Sequence, residues 1–157
     1  MLVAYNGKEY CCQIYEKDKL ILRSMKKPDD TFTYYNGMYI KYVDKNECVS
    51  IVDNWIIAVY KGEFLYIYAA NSSINEFYVV ADSSTGYSEE FINVILDGKK
   101  GRDIFSWCSA DIFTEFYNLR DNYFEHKDEN KTYISKEQAM EYVILLNGGE
   151  LVKKADV

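Results

Sequence analysis

Apolar and polar positions alternate in short runs along most of this chain, and turn residues punctuate the runs at regular intervals. Asn6-Gly7 and Lys61-Gly62 each stand between two apolar segments. A two-residue hairpin turn there needs positive φ, which glycine adopts without a steric penalty. A third strand is predicted over 19–24, and another over 76–81. Residues 32–42 place β-formers on both sides of Asn36-Gly37, the dipeptide that most favours a type I′ turn, so they predict a hairpin. Residues 91–107 carry Asp97-Gly98 followed by Lys99-Lys100-Gly101-Arg102, which predicts a second hairpin with a longer loop. Ile112, Phe113, Phe116, Tyr117 and Leu119 recur at helical spacing behind a cap at Ser109. Cys48, Ile51 and Val52 do so after Asp44, which predicts a short closing helix in each half.

These elements occur twice in the same order. Leu2-Val3-Ala4-Tyr5-Asn6-Gly7 through Ile14-Tyr15 is answered by Ile57-Ala58-Val59-Tyr60-Lys61-Gly62 through Ile67-Tyr68, and Leu20-Ile21-Leu22 by Tyr78-Val79-Val80. Phe32 ahead of Asn36-Gly37 is answered by Phe91 ahead of Asp97-Gly98, Lys41-Tyr42-Val43 by Ser106-Trp107-Cys108, and Asp53-Asn54-Trp55 by Asp121-Asn122-Tyr123. The expected fold is therefore α+β and strand-rich: two tandem small antiparallel barrels of Src-homology-3 type, over 1–55 and 56–124. No Gly/Ser/Pro-rich linker separates them, so they are expected to pack as one body. The pattern changes over 125–157. Residues 125–131 are a polar loop, and then Ser135 and Gln138 form a capping box ahead of Ala139, Tyr142, Val143 and Leu146, predicting an amphipathic helix over 134–147 that Gly148-Gly149 ends.

A chain of 157 residues buries roughly 68–70% of its unfolded surface as a compact domain, enough for a core without metal or disulfides. Its longest apolar runs are too short to cross a bilayer and its N-terminus does not read as a signal peptide, so a cytoplasmic location without membrane association is expected. The net charge of −7 disfavours nucleic acid and anionic lipid, both of which need clustered Lys and Arg. The same charge favours a basic partner.

The chain carries no recognisable catalytic signature. The one histidine, His126, stands in the polar loop, where a general base lacks an orienting partner. Ser72-Ser73 and Ser83-Ser84 lack a nucleophile elbow, and Gly98-Lys99-Lys100-Gly101 is too short for a phosphate loop. Cys11, Cys12, Cys48 and Cys108 lack metal-ligand spacing, and adjacent strand residues such as Cys11 and Cys12 point to opposite faces, so all four are expected as reduced core thiols. The acidic pairs Asp29-Asp30, Glu89-Glu90 and Asp128-Glu129 lack calcium-loop spacing. No catalytic residue, cofactor or metal is therefore expected.

Sixteen tyrosines are too many for alternation to hide, so some rings face outward or into a second layer. With its acidic charge, paired hairpin turns Tyr5-Asn6-Gly7-Lys8 and Tyr60-Lys61-Gly62-Glu63, and aromatic segments ending Asp53-Asn54-Trp55 and Asp121-Asn122-Tyr123, the chain resembles the immunity proteins of bacterial polymorphic toxin systems. That resemblance implies a non-enzymatic protein that binds and neutralises a toxin domain. The expected interface joins aromatic anchors to acidic rim residues: Tyr34, Tyr39, Tyr87, Glu89 and Glu90. Two alternatives are a peptide- or ligand-binding adaptor with an aromatic groove lined by residues such as Tyr34, Tyr39 or Trp107, and a small enzyme with a dispersed carboxylate site.

Overall fold

The computed structural model describes residues 1–81, 86–120 and 131–153. Twelve strands form two six-stranded antiparallel sheets. The first contains β1 (Leu2–Tyr5), β2 (Lys8–Glu16), β3 (Lys19–Ser24), β4 (Thr33–Tyr35), β5 (Met38–Asp44) and β6 (Val49–Val52), in the order β4-β5-β3-β2-β1-β6. The second contains β7 (Asn54–Tyr60), β8 (Glu63–Asn71), β9 (Glu76–Ala81), β10 (Ile104–Ser109), β11 (Glu115–Arg120) and β12 (Lys131–Ile134), in the order β10-β9-β8-β7-β11-β12. Two α-helices, α1 (Glu89–Ile95) and α2 (Lys136–Asn147), complete the described fold.

Five strands of each sheet share one connectivity, β5-β3-β2-β1-β6 against β10-β9-β8-β7-β11. Leu20 lies opposite Val43 and Phe77 opposite Cys108. Leu20-Ile21-Leu22 therefore corresponds to Phe77-Tyr78-Val79, one residue earlier than the sequence match places it. That residue matters because a slip of one exchanges the faces. Leu20, Leu22, Phe77 and Val79 are all fully buried, Leu20 and Leu22 in one hydrophobic cluster and Phe77 and Val79 in another.

Several expectations are corrected. The sheets are open, not closed barrels: one ends at β4 and β6, the other at β10 and β12. β4 has three residues, while β6 has four, with Ser50 at φ 55° and a register shift against β1, so neither edge can continue the ladder around. The predicted closing helices are 3₁₀ turns at Lys45–Glu47 and Ala110–Ile112, each followed by a strand. The aromatic and β-branched residues after them form β6 and β11, whose partners β1 and β7 supply the ladder bonds that favour a strand. The predicted hairpin over 91–107 is also replaced. Ser88 accepts from the Phe91 amide and starts α1, and Asp97 and Gly98, both at positive φ, end the segment. Lys131–Ile134, read as loop and helix start, is instead β12.

The turns at Asn6-Gly7, Asn36-Gly37 and Lys61-Gly62 have positive φ at both residues, as the sequence requires. In α2 the Ser135 hydroxyl accepts from the Gln138 amide, while the Gln138 side chain accepts from the Ser135 amide. Gly148 closes the helix at φ 73°.

The main core joins both sheets. Leu2, Cys11 and Met38 of the first meet Ile56, Leu65, Phe77 and Phe116 of the second, with Phe91 and Ile95 of α1 and Val143 and Ile144 of α2 among them. On the other face of the first sheet, Val3, Tyr10, Cys12, Leu20, Leu22 and Val43 pack under Phe32. Cys11 and Cys12 thus serve different cores, as alternation demands, and all four cysteines are free. Arg23 fastens the helix to the first sheet by donating to the Leu145 and Leu146 carbonyls and to Gln13.

Candidate protein-binding face

The second sheet has an apolar side chain row on the face turned away from the main core. Following the register from one edge to the other, Phe105, Val80, Tyr66, Ile57, Tyr117 and Tyr133 stand directly opposite one another across all six strands. A second, shorter row pairs Trp107 with Tyr78. The register of β8 shifts between Ile67 and Ala69, and Tyr68 stands beside these rings. An antiparallel sheet with one face on a core ordinarily turns polar residues outward, and this one does not.

The rings hold one another in place. Tyr78 stacks on Phe105 at 5.4 Å and lies 5.0 Å from Trp107, while Tyr68 packs edge-on to Phe105 at 5.3 Å and to Tyr78 at 6.1 Å. Tyr68 is 57% exposed and Phe105 38% exposed, whereas Ile57 and Tyr117, in the middle of the row, are buried in a small cluster with Leu119. The patch is therefore preorganised and still accessible at its β8–β10 end. Exposed contiguous apolar surface of this kind marks interaction sites.

Two clefts flank the rings and share Tyr66 and Val80. One, of about 490 Å³, is lined by Glu63, Phe64, Tyr87 and Asp103; the other, of about 410 Å³, lies between Met1, Trp55, Tyr68, Val143 and Leu146. Tyr87 stacks on Phe91 at 4.0 Å and donates to the Phe64 carbonyl, while Glu63 accepts from both the amide and the hydroxyl of Ser88. The first cleft thus presents rings and carboxylates together.

The five residues expected at the interface fall into two groups, one on the first sheet and one at a helix start. Tyr34 and Tyr39 are opposite neighbours in the β4–β5 hairpin, with rings 5.3 Å apart. Tyr87, Glu89 and Glu90 lie at the start of α1. Glu90 accepts from Lys61 and from the Tyr60 hydroxyl, and the Lys61 hydrogen bond holds its carboxyl below the usual range. Glu89 pairs with Lys100 at 3.4 Å. Trp107 sits in the ring cluster. Sequence reasoning passed over Tyr66, Tyr68, Tyr78 and Phe105, although the unbroken apolar run Phe77-Tyr78-Val79-Val80 in an antiparallel strand signals two apolar faces.

The buried thiols are poor nucleophiles. Burial pushes Cys11 up to about 12 and Cys108 up to about 11, so both stay protonated at neutral pH. Among the described residues there is no group of three or more potential metal ligands and no helix long and apolar enough to cross a membrane. His126, Ser83-Ser84 and Asp121-Asn122-Tyr123 lie outside the described residues. Comparison of the chain with protein-family models, curated proteins and solved structures found no match.

Proposed function

We propose that this chain is a non-enzymatic protein-binding protein that receives its partner on the outer face of the second sheet. It acts as an immunity protein, neutralising a toxin domain inside the cell that makes both. The observation that carries the binding function is the ring cluster Tyr68, Tyr78, Phe105 and Trp107, continuous with the row that crosses the sheet. Rings already packed against one another lose little conformational freedom on binding, so their desolvation is available for affinity. The net charge of −7 suits a basic toxin domain, with Glu63 and Asp103 lining the cleft beside Tyr66 and Val80 to accelerate encounter. Duplication of one strand unit fits this role, because the second copy presents its outer face while sharing its inner core with the first.

A peptide-binding adaptor is the second reading, favoured by the 490 Å³ cleft beside Phe64, Tyr66 and Tyr87. If a multidomain toxin gene lies beside this one, co-expression of its toxin domain with this chain separates the two readings. The intact chain is expected to restore growth, and Tyr78→Ser and Tyr68→Ser to abolish rescue while remaining folded, each weakening binding by about 2 kcal/mol or more. Rescue that survives both substitutions but fails with Tyr34→Ser and Tyr39→Ser would move the interface to the first sheet. Failure of the intact chain to rescue growth would overturn the immunity reading.

A further inference from the structure

The four sheet edges differ in how well they are protected from another strand. β4 has three residues, β6 has four and a register shift, and β12 has four and carries Lys131. Shortness, irregularity and charge are the usual devices that keep an edge from pairing. β10 has none of them. Its six residues, Ile-Phe-Ser-Trp-Cys-Ser, pair with β9 without a register shift and contain neither charge nor proline.

The direction of its free backbone groups follows from the ladder. The Ala110 amide donates to the Asn75 carbonyl, and these residues continue the β10–β9 register. In an antiparallel pair the hydrogen-bonded positions alternate, so Cys108, Ser106 and Ile104 turn their amides and carbonyls toward β9. Phe105 and Trp107 turn theirs to the open side, where no partner for them occurs among the described residues. The same two residues carry rings on the outer face.

We propose that two copies of this chain associate through β10, strand to strand and antiparallel, with the two-fold axis at Ser106. In that register Phe105 of each copy faces Trp107 of the other, so each pair exchanges amide and carbonyl bonds and brings two rings together. Asp103 stands opposite Ser109 and not opposite its own copy, so no like charges meet at the seam. The product is one twelve-stranded sheet with a continuous aromatic face. This inference goes beyond the toxin-binding reading and does not depend on it.

A self-association of two chains with net charge −7 has a salt signature. Repulsion between copies is screened as ionic strength rises, so the dimer is expected to tighten with salt, whereas docking of a basic partner weakens. Sedimentation velocity of the full chain over a concentration series, at low and high salt, is expected to show a reversible dimer favoured at high salt. Phe105→Pro removes an amide that points away from β9, a position where edge strands tolerate proline, and Trp107→Lys adds a charge to the edge. Each is expected to stay folded by circular dichroism and to raise the dissociation constant at least about tenfold. Ser106→Cys sits on the axis and is expected to give a covalent dimer under mild oxidation that the wild-type chain does not give. Tyr78→Ser, on β9, leaves every backbone group of the β10 edge in place and is expected to keep the dimer. A monomer at every concentration and both salt levels, or a dimer unmoved by Phe105→Pro and Trp107→Lys, would overturn the proposal.

Discussion

At the residue scale, Arg23 and Gly148 form a coupled pair. The Arg23 guanidinium donates to the Leu146 carbonyl at the end of α2 and shares the Leu145 carbonyl with the Gly148 amide, so its removal takes a charged donor from both carbonyls in a largely buried seam. Arg23→Ala is expected to lower stability by about 2–3 kcal/mol, read from denaturant unfolding. A β-carbon at Gly148 would meet Arg23 Nη2 at 2.7 Å and would also force an L side chain to hold φ 73°. Gly148→Ala is therefore expected to be destabilising by about 1–2 kcal/mol. Part of that effect should vanish in the Arg23→Ala background, a non-additivity that a double-mutant cycle measures. The cysteines predict a pH dependence. Cys11 and Cys108 have folded values of about 12 and about 11, raised from 9.0 by burial. Their contribution is complete below pH 9 and is lost as pH rises toward the folded values, because the unfolded chain ionises first. Unfolding midpoints should fall above pH 9, and less steeply in Cys11→Ala.

At the element scale, α2 depends on its ends as much as on its apolar stripe. The reciprocal Ser135–Gln138 bonds satisfy amides that the first turn leaves free. Ser135→Ala is expected to cost about 1 kcal/mol in a chemical melt. This helix was legible in the chain because cap, period and stop agree. So were β3, β9 and the three Gly turns, where one local rule decides the backbone. β6, β11 and α1 were not legible. Phe113, Phe116, Tyr117 and Leu119 suit either period, and a strand was favoured by the free edge of β7 beside them. Phe91, Ile92 and Ile95 read as strand residues, yet they form a helix whose buried face fills the main core.

At the scale of the whole molecule, the two sheets are interdependent because the main core draws on both, with Leu2, Cys11 and Met38 set against side chains of the second sheet and of α2. Residues 1–53 produced alone are expected to lack a cooperative thermal transition, since that face would be left uncovered. The aromatic face should behave in the opposite way. Tyr68→Ser removes an exposed ring and is expected to change stability by no more than about 0.5 kcal/mol while impairing partner binding.

The sequence by itself determined what nearest-neighbour chemistry controls: the Asn-Gly and Lys-Gly turns, the capped C-terminal helix, the opposite faces taken by Cys11 and Cys12, and a recurring order of short strands. Tertiary structure decided the rest. It set whether the sheets close, converted the second unit's expected hairpin into α1, and selected which aromatic rings reach the surface. Tyr68, Tyr78, Phe105 and Trp107 come from three strands and meet only because antiparallel register places them opposite or diagonal to one another. A ring is inside or outside according to what covers its face, and that depends on residues distant in the chain.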